Sequence, residues 1–518
     1  MTFNLPIIIP ETIRSDFEII LSMVTNVDGQ KCTADQMERH LFKQLLRMGA
    51  KLMQLFFDMR SQAVPRKEAV NQKGDRLPYH SEKSRDYYSI FGELEINRPY
   101  FYRKGAGGYS PLDAELGLGE DSYSDFLREL HDELGVYIPF GQEVAIIERL
   151  LEIGLSKRCI QQFIGSDAVD AAAYYEQKPP PPAAEEGAIL VAQADGKGVP
   201  IIKASANKDK VRLKRGEARS KKKAVTATAL YTIQPAPRTV DEVVRSLLEG
   251  KSEKTTITRS KPQHKQLWGT LAGKPAALDR LQGEVDKRMG DHIQQRVMLC
   301  DGDKSLQAHL CQRFPDFTLI LDFIHAYEYL WQVASALYGQ DSPDRQAWVL
   351  EHTRTLLNGQ ASSLATRFHQ LAQEKGRTAS QRKILQKVAN YYENNQAYMD
   401  YATYLQHGWP IASGVIEGVC RHFVKDRMEL SGMRWSIDGA ENLLHLRAVA
   451  ENNDWDDYHR FRKRQRQRRL YQSDWPEEIL LPSLSTLVRR SAKKSLVTDK
   501  NVQPPNTNRG YAQLPLAV

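Results

Sequence analysis

Hydrophobic and polar positions along the chain change their period several times, and each change marks a new element. Thr33 and Gln36 have the spacing of a capping box, and apolar residues then recur at three- and four-residue intervals from Met37 to Met59. This spacing predicts one long amphipathic helix. Its stripe of methionines and leucines favours packing against a core or a partner over any ligand site.

Two further patterns precede the middle of the chain. From Tyr87 to Tyr102 the sequence alternates and is rich in aromatic residues around Gly92, which predicts a β-hairpin. Helical periodicity then returns, and Gly154 separates two helical segments, the second of which can be capped by Ser156. This arrangement fits a helix-turn-helix, although generic helical hairpins share the pattern. The second helix would carry two cations toward DNA, Lys157 and Arg158.

A run of four prolines within residues 178–187 cannot continue a helix and indicates a semi-rigid linker. Beyond it, apolar runs predict strands, and an almost wholly helical, aromatic-rich pattern follows from residue 326 to about 407. We interpret the strands as an α/β core and the helical stretch as an insertion within it. The predicted strands lie in residues 188–204, 222–234, 296–301 and 317–322.

These patterns predict an α/β fold with added all-α parts, preceded by a mostly helical region with a β-hairpin. The segments are an N-terminal helical region 1–75, a β-hairpin segment 76–118, a helical DNA-binding region 119–177, a Pro-rich linker 178–187, a first core part 188–325, a helical insertion 326–407, a last core part 408–453, and a basic, partly disordered tail 454–518.

Composition narrows the class of partner. Lysine and arginine exceed aspartate and glutamate by 72 − 64 = 8, and the pI near 9.0 favours a polyanion such as nucleic acid. No apolar run approaches the roughly 18 residues that span a bilayer, and the N-terminus has no signal-peptide pattern, so we expect a cytoplasmic, nucleoid-associated protein without a membrane partner. The five scattered cysteines form no C-x-x-C pair, which predicts reduced thiols and no zinc ribbon.

Three acidic residues stand in contexts that favour chemistry. Asp195 and Asp301 each end an apolar run, where a lone charge would be costly, and each is followed by glycine. Glu417 lies in the segment SGVIEG, where helical spacing puts Arg421 and Lys425 on its face, so a helix can present this acid toward the strand ends. Any single acid is by default a solvated surface charge, and only the combination of the three contexts favours a site.

Converging carboxylates are a ligand set for Mg²⁺ or Mn²⁺. Mg²⁺ takes a few carboxylates together with water and phosphate oxygens. Two such ions, held about 3.5 to 4 Å apart, activate a water or a 3′-hydroxyl and neutralise the leaving oxygen in an in-line displacement. We therefore expect two ions per active site, with Asp195, Asp301 and Glu417 as catalytic residues and metal ligands.

Several patches of the chain match a known group. They are YSIFGELEINRPYFYR, SPLDAELGL, ADGKGVP, CDGDKSL, LDFIHAYEYLW, NNQAYMDYA, and SGVIEG with RMELSGMRWS, and they cover most of residues 80–450. In these patches the chain resembles bacterial insertion-sequence DDE transposases of the ISKra type, distant relatives of the Mutator-like transposases. Some relatives carry a cysteine-based metal ribbon near the hairpin, and this chain lacks it.

The resemblance implies an RNase H-like catalytic domain that the helical insertion interrupts. In such a domain the first aspartate lies on the first strand, the second follows the fourth strand, and the glutamate lies on a late helix. Asp195, Asp301 and Glu417 occupy the matching places. Asp322 also ends an apolar run, but with His325 it matches the D-x-x-H element of Mutator-like relatives, so we expect supporting roles for a second set, Asp322, His325 and Arg421.

Basic segments predict the DNA contacts. Residues 203–223 gather ten basic residues against two acidic ones, and residues 459–472 are strongly basic. A charge run is usually a solvated face, but beside a phosphodiester site it favours contact with phosphates. The cations expected to bind DNA in these two segments are Lys214, Arg215, Lys221, Lys222, Lys223, Arg462, Lys463, Arg464 and Arg466.

The sequence therefore predicts a DNA transposase that cleaves transposon ends and joins them to target DNA. Its expected partners are the terminal repeats, target DNA and further copies of the chain in a synaptic complex. Two alternatives stay open. An RNase H-like nuclease would use the same acids without strand transfer, and a non-catalytic DNA-binding protein derived from a transposase would be expected to lack one of them.

Overall fold

The computed structural model describes residues 11–26, 31–202, 222–248, 261–339 and 342–475. In these ranges the chain is a mixed α/β protein with open sheets, as the sequence predicts. None of the helices in these ranges combines the length and the apolar character needed to cross a bilayer. Residues 203–221 of the predicted basic segment 203–223, and the part of the predicted tail beyond residue 475, lie outside the described residues.

Where it is described, the N-terminal part shows two helices and a small antiparallel sheet. Its elements are α1 Glu11–Thr25, α2 Ala34–Ala63, β1 Glu68–Val70, β2 Arg76–Ser89, β3 Gly92–Arg103 and β4 Gly107–Tyr109. The predicted capping box starts α2, because Thr33 and Gln36 each accept the other's backbone amide. The predicted hairpin is the β2–β3 pair, closed by Ser89 opposite Gly92, whose φ of +108° suits glycine.

Short helices follow the small sheet. They are α3 Pro111–Glu115, α4 Asp125–Gly135, α5 Phe140–Leu151, α6 Lys157–Asp167 and α7 Ala171–Gln177. The predicted pair of helices around Gly154 corresponds to α5 and α6. Ser156 caps α6 as predicted, with its hydroxyl accepting the Cys159 amide at 3.2 Å. The helical pair is confirmed, and its use in binding DNA stays a prediction.

A five-stranded open sheet occupies the middle of the chain. Its strands are β5 Ile189–Pro200, β6 Lys222–Ile233, β7 Gln263–Thr270, β8 Gln295–Cys300 and β9 Thr318–Leu321, with helices α8 Val240–Leu248, α9 Lys274–Arg288 and α10 Lys304–Arg313 between them. The order across the sheet is β7-β6-β5-β8-β9. The first three strands pair antiparallel, whereas β5, β8 and β9 run parallel. The sequence predicts four of these strands and misses β7, whose first half is polar.

Alternation along β5 separates the two faces of this sheet. Ile189 and Val191 belong to one hydrophobic core, whereas Leu190 and Ala192 belong to another. Because side chains alternate with period two, Asp195 projects on the same face as Ile189 and Val191. That face therefore carries one of the predicted site residues.

The predicted helical insertion packs on this first face. Its helices are α11 Phe323–Leu337, α12 Pro343–Leu357, α13 Ala361–Gln373, α14 Ala379–Asn395 and α15 Tyr401–Gln406. Phe368, Tyr392 and Tyr401 are buried in the same core as Ile189. The Tyr401 hydroxyl also donates to the last backbone carbonyl of β9 at 3.0 Å. The insertion is thus an integral part of the packing around the sheet.

The last described elements follow the insertion. They are α16 Gly414–Gly418, a π-helix Val419–Lys425, α17 Asp426–Met428, α18 Ile437–Glu451 and α19 Trp455–Tyr471. The expectation of one regular α-helix through Glu417, Arg421 and Lys425 is wrong, because the chain passes into π-helical turns directly after α16. The wider π turns change the angular spacing on which a shared α-helical face depends.

Candidate metal centre

Two carboxylates lie where β8 ends beside β5. The two strands pair in parallel register up to Gln193 and Leu299, and the same register continued by two residues sets Asp195 opposite Asp301. The turn after β8 is held by the Asp301 carboxylate, which accepts the Asp303 amide at 2.9 Å. Neighbouring strands are about 4.8 Å apart, so this register brings both acids to one edge of the sheet.

The helix that carries Glu417 is fastened to β5. Gln193 is 1% exposed, and its side-chain oxygen accepts the Ile416 amide at 2.9 Å, while its nitrogen donates to a buried tyrosine hydroxyl on β6 at 3.0 Å. One turn later, burial and the nearby Asp195 carboxylate raise the pKa of the Cys420 thiol. Both contacts hold the turn carrying Glu417 against the strand carrying Asp195.

Asp322, His325 and Glu417 form a cluster of possible metal ligands. One ligand atom from each lies within 4.8 Å of the other two. His325 Nδ1 is 3.3 Å from Asp322 Oδ2 and 3.9 Å from Glu417 Oε1. Asp322 is fully buried, and its carboxylate accepts the Ile324 amide at 2.7 Å as well as the Ser413 hydroxyl. Two carboxylate oxygens and an imidazole nitrogen can hold a metal ion.

Negative charge is concentrated around this cluster. Burial raises the pKa of Glu417, and the Asp322 carboxylate raises it further. Burial also raises the pKa of Asp301, and repulsion from the Asp195 carboxylate raises it further. Contact with Asp322 is the main cause that raises the pKa of His325 to about 9. A cation bound among these groups would relieve the repulsion between the carboxylates.

The structure arranges the predicted residues in two neighbouring groups. Glu417 clusters with Asp322 and His325, which the sequence predicts only as supporting residues, whereas Asp195 and Asp301 meet beside β5 and β8. Within the described ranges, the 4.8 Å cluster does not include Asp195 or Asp301. Asp322 is therefore itself a possible metal ligand, next to Glu417. Arg421, the third supporting residue, is exposed on the π-helix.

Sequence reasoning misses an aromatic pair beside Asp301. Tyr329 on α11 and Tyr391 on α14 stack with ring centroids 4.1 Å apart. Burial raises the pKa of both phenols, and the Asp301 carboxylate adds to the effect. A Cβ atom on Gly302 would lie 2.5 Å from the Tyr391 ring, so only glycine fits after Asp301 without displacing the ring. The glycine in CDGD is the one sequence signal that could have revealed this close approach.

Sequence reasoning also misses two residues that hold parts of the site in place, Gln193 and Ser413. Gln193 ties α16 to β5, and Ser413 binds Asp322 just before α16 begins. Neither residue stands out in the sequence, since a glutamine inside an apolar run and a serine before a glycine are common. Their roles become visible only when β5, β9 and α16 meet in space.

The predicted DNA contacts divide by accessibility. Lys157 and Arg158 are exposed at the start of α6. Lys222 pairs with Glu429, and Lys223 beside it is exposed. The side chains of Lys157, Arg158 and Lys223 are thus accessible from solvent. Three other predicted contacts, Lys214, Arg215 and Lys221, lie outside the described residues.

Two arginines of α19 form ion pairs within the chain. Arg462 is 3% exposed, and its guanidinium lies 2.5 Å from Asp167 and 3.3 Å from Asp125. Arg466 lies 2.5 Å from the same Asp125 carboxylate. The expectation that Arg462 and Arg466 bind DNA is therefore corrected, because both dock α19 against α4 or α6. Of the other two predicted contacts on α19, Lys463 is half-buried and Arg464 is exposed.

No protein-family model matches the chain, and no curated protein matches it either.

Proposed function

We propose that the chain is a DNA transposase of an insertion sequence, which cleaves transposon ends and joins them to target DNA. Asp195, Asp301 and Glu417 are its catalytic residues in this proposal. The observation that carries it is the meeting of β5, the end of β8 and α16 at one place, where Gln193 accepts the Ile416 amide. This hydrogen bond supports the proposal that Glu417, beside Ile416 on α16, shares a site with Asp195 and Asp301.

The strand order supports an RNase H-like catalytic domain. Asp195 lies on the first strand of the five-stranded sheet, Asp301 follows the fourth strand, and Glu417 lies on a helix after the insertion. These are the places that the resemblance to DDE transposases assigns to the three acids. The helical insertion between β9 and α16 also matches the expected interruption of the domain.

The donor set fits Mg²⁺ or Mn²⁺. Carboxylate oxygens dominate the site, and hard divalent cations prefer such ligands. When bound, a pair of such ions would activate the attacking water or 3′-hydroxyl and neutralise charge on the leaving oxygen. Asp195, Asp301 and Glu417 would hold them, and Asp322 is placed to share one through its contact with His325.

The remaining residues of the site bind and orient the DNA in this proposal. His325 lies between Asp322 and Glu417, at 3.3 and 3.9 Å, and an imidazole N–H at this place can donate to a phosphate oxygen. The stacked pair Tyr329 and Tyr391 offers a flat surface to a base next to the cut. Terminal repeats, target DNA and a second copy of the chain are the proposed partners, in the cytoplasm at the nucleoid.

Strand transfer with Mg²⁺ tests the proposal. The purified chain is mixed with a labelled DNA carrying the element's end and with a plasmid target, and joined products are counted. Asp195→Asn, Asp301→Asn and Glu417→Gln should each reduce joining by at least about 10³-fold, because each removes a metal-binding charge. Asp316→Asn is the matched control, since Asp316 is an exposed acid just before β9, at the other end of that strand from Asp322.

Each outcome has a distinct meaning. Full joining by any of the three variants removes that residue from the mechanism. Cleavage without joining by the wild-type chain favours a nuclease of the same fold. DNA binding with neither cleavage nor joining favours a non-catalytic binding protein.

A further inference from the structure

An uncovered apolar stripe runs along α2. Five large hydrophobic side chains on this helix are between 41% and 52% exposed: Phe42, Leu45, Leu52, Phe56 and Met59. Their spacing of three, seven, four and three residues is that of a and d positions of a heptad repeat with one a position, Gly49, left out. The ring of Phe91 lies against Gly49 at that point. We call these five residues the α2 stripe.

The rest of α2 already has partners within the chain. Phe57 is 2% exposed and packs in one core with Leu77, Ile96 and Phe101 of the small sheet. The helix is thus anchored through another face, and the fold of the N-terminal part does not need the α2 stripe for its own packing. An amphipathic helix normally turns such a stripe toward apolar surface.

The neighbouring helix α1 extends the apolar surface. Phe17, Leu21 and Val24 recur at the i, i+4 and i+7 spacing of one helical face and are 47% to 54% exposed. The two helices are joined by an ion pair of 2.6 Å between Asp16 and Lys51. Apolar side chains are therefore presented by two packed helices.

The amount of exposed surface is that of an interface. With about 150 to 250 Å² per large apolar residue, eight half-exposed residues present roughly 700 Å², close to the ~800 Å² that each partner contributes to a standard interface. Patches of this size on a soluble chain mark association sites. The stripe is too large to be the usual scatter of single exposed leucines.

We infer that the α2 stripes of two copies of this chain pack against each other, with α1 extending the contact. A second copy presents the same 3.5-residue period, so a and d side chains from the two helices can interdigitate on either side of Gly49. With a two-fold axis between the copies, each stripe is buried by the other, and the assembly closes as a dimer. The inference names a surface for the proposed oligomer and stands without the transposase chemistry.

Sedimentation equilibrium of the full chain tests the inference. The wild-type chain should sediment as a dimer, at twice its 59.1 kDa mass, at micromolar concentrations. Leu45→Glu with Leu52→Glu should raise the dimer dissociation constant at least about 100-fold, because both carboxylates would be buried without partners. Phe126→Glu is the matched control, since Phe126 is 60% exposed on α4, away from the stripe, and this variant should dimerise as the wild type does.

A charge-swap experiment excludes unfolding as the cause. Leu45→Lys with Leu52→Lys should also be monomeric, and an equal mixture of the Glu and Lys variants should regain dimers. A wild-type chain that remains monomeric, or a Glu variant that dimerises as the wild type does, overturns the inference. Association that arises only after residues 1–10 are removed also overturns it, and would assign that segment as the cover of the stripe. Loss of strand transfer with dimerisation intact would fail the proposed function alone.

Discussion

Arg462 offers a test of how the basic helix α19 is held. Its guanidinium is buried and contacts Asp167 and Asp125, and Asp167 is itself only 1% exposed. Arg462→Met keeps an unbranched side chain but removes the guanidinium and its charge. Because Arg128 lies 2.5 Å from Asp167, that carboxylate would keep one of its two cations.

The expected cost follows from leaving a buried charge with too little compensation. Removing one partner of a buried ion pair costs about 3–5 kcal/mol. The remaining Arg128 puts this case at the lower end, so the docking of α19 should weaken by about 3 kcal/mol, which is roughly 100-fold in the equilibrium for local opening. Coulomb attraction alone would suggest more, but relief of the desolvation of Arg462 offsets part of it.

Hydrogen exchange measured by mass spectrometry reads this change directly. Peptides from Trp455–Tyr471 should exchange roughly 100 times faster in Arg462→Met than in the wild type. Arg464→Met is the control, because Arg464 is exposed on the same helix, and its effect should stay within about 0.5 kcal/mol. Equal protection in Arg462→Met and the wild type would refute the view that α19 is held by buried ion pairs.

Three further predictions concern the site and the helical region. Gln193→Leu leaves the Ile416 amide without its acceptor and should lower strand transfer about 10- to 100-fold, with a shift to higher Mg²⁺ in a metal titration; an unchanged titration would contradict the positioning role. Burial, with Arg462 nearby, lowers the pKa of His459 to about 3, whereas the unfolded chain binds that proton below about 6.5. Stability should therefore fall as pH drops from about 6.5 to 3, and His459→Phe should flatten the dependence of the urea midpoint on pH; an equally steep dependence would exclude His459 as its source. Asp322→Asn removes the charge beside His325, so its pKa should move from about 9 toward about 6.5 in an NMR titration, and a value that stays near 9 would assign the shift to other carboxylates.

Elements with a strong local pattern could be predicted from the sequence. The capping box at Thr33 and the turn at Gly92 are encoded by neighbouring residues, and both are confirmed. Asp195 and Asp301 stand out in the sequence because each ends an apolar run, where a lone charge is costly, and their role as ligands stays a prediction. The π-helix after Glu417 was not predictable, because its residues have ordinary helical periodicity.

Long-range contacts explain the rest of the differences. The basic run of α19 resembles a DNA-binding surface in the sequence, but the partners of Arg462 lie about 300 residues earlier, in α4 and α6. Asp322 appears subordinate to Asp301 in the sequence, and only the packing of α16 onto β5 and β9 brings it close to Glu417. Such pairings depend on the fold of the whole chain and leave no local pattern.

Anomalous scattering from Mn²⁺ in crystals of the chain tests the central claim most directly. The account predicts an ion coordinated by carboxylate oxygens of Asp195, Asp301 and Glu417 at about 2.1 Å, the distance expected for a small hard divalent cation. An ion held by Asp322, His325 and Glu417, with Asp195 and Asp301 too distant to coordinate metal, would contradict it.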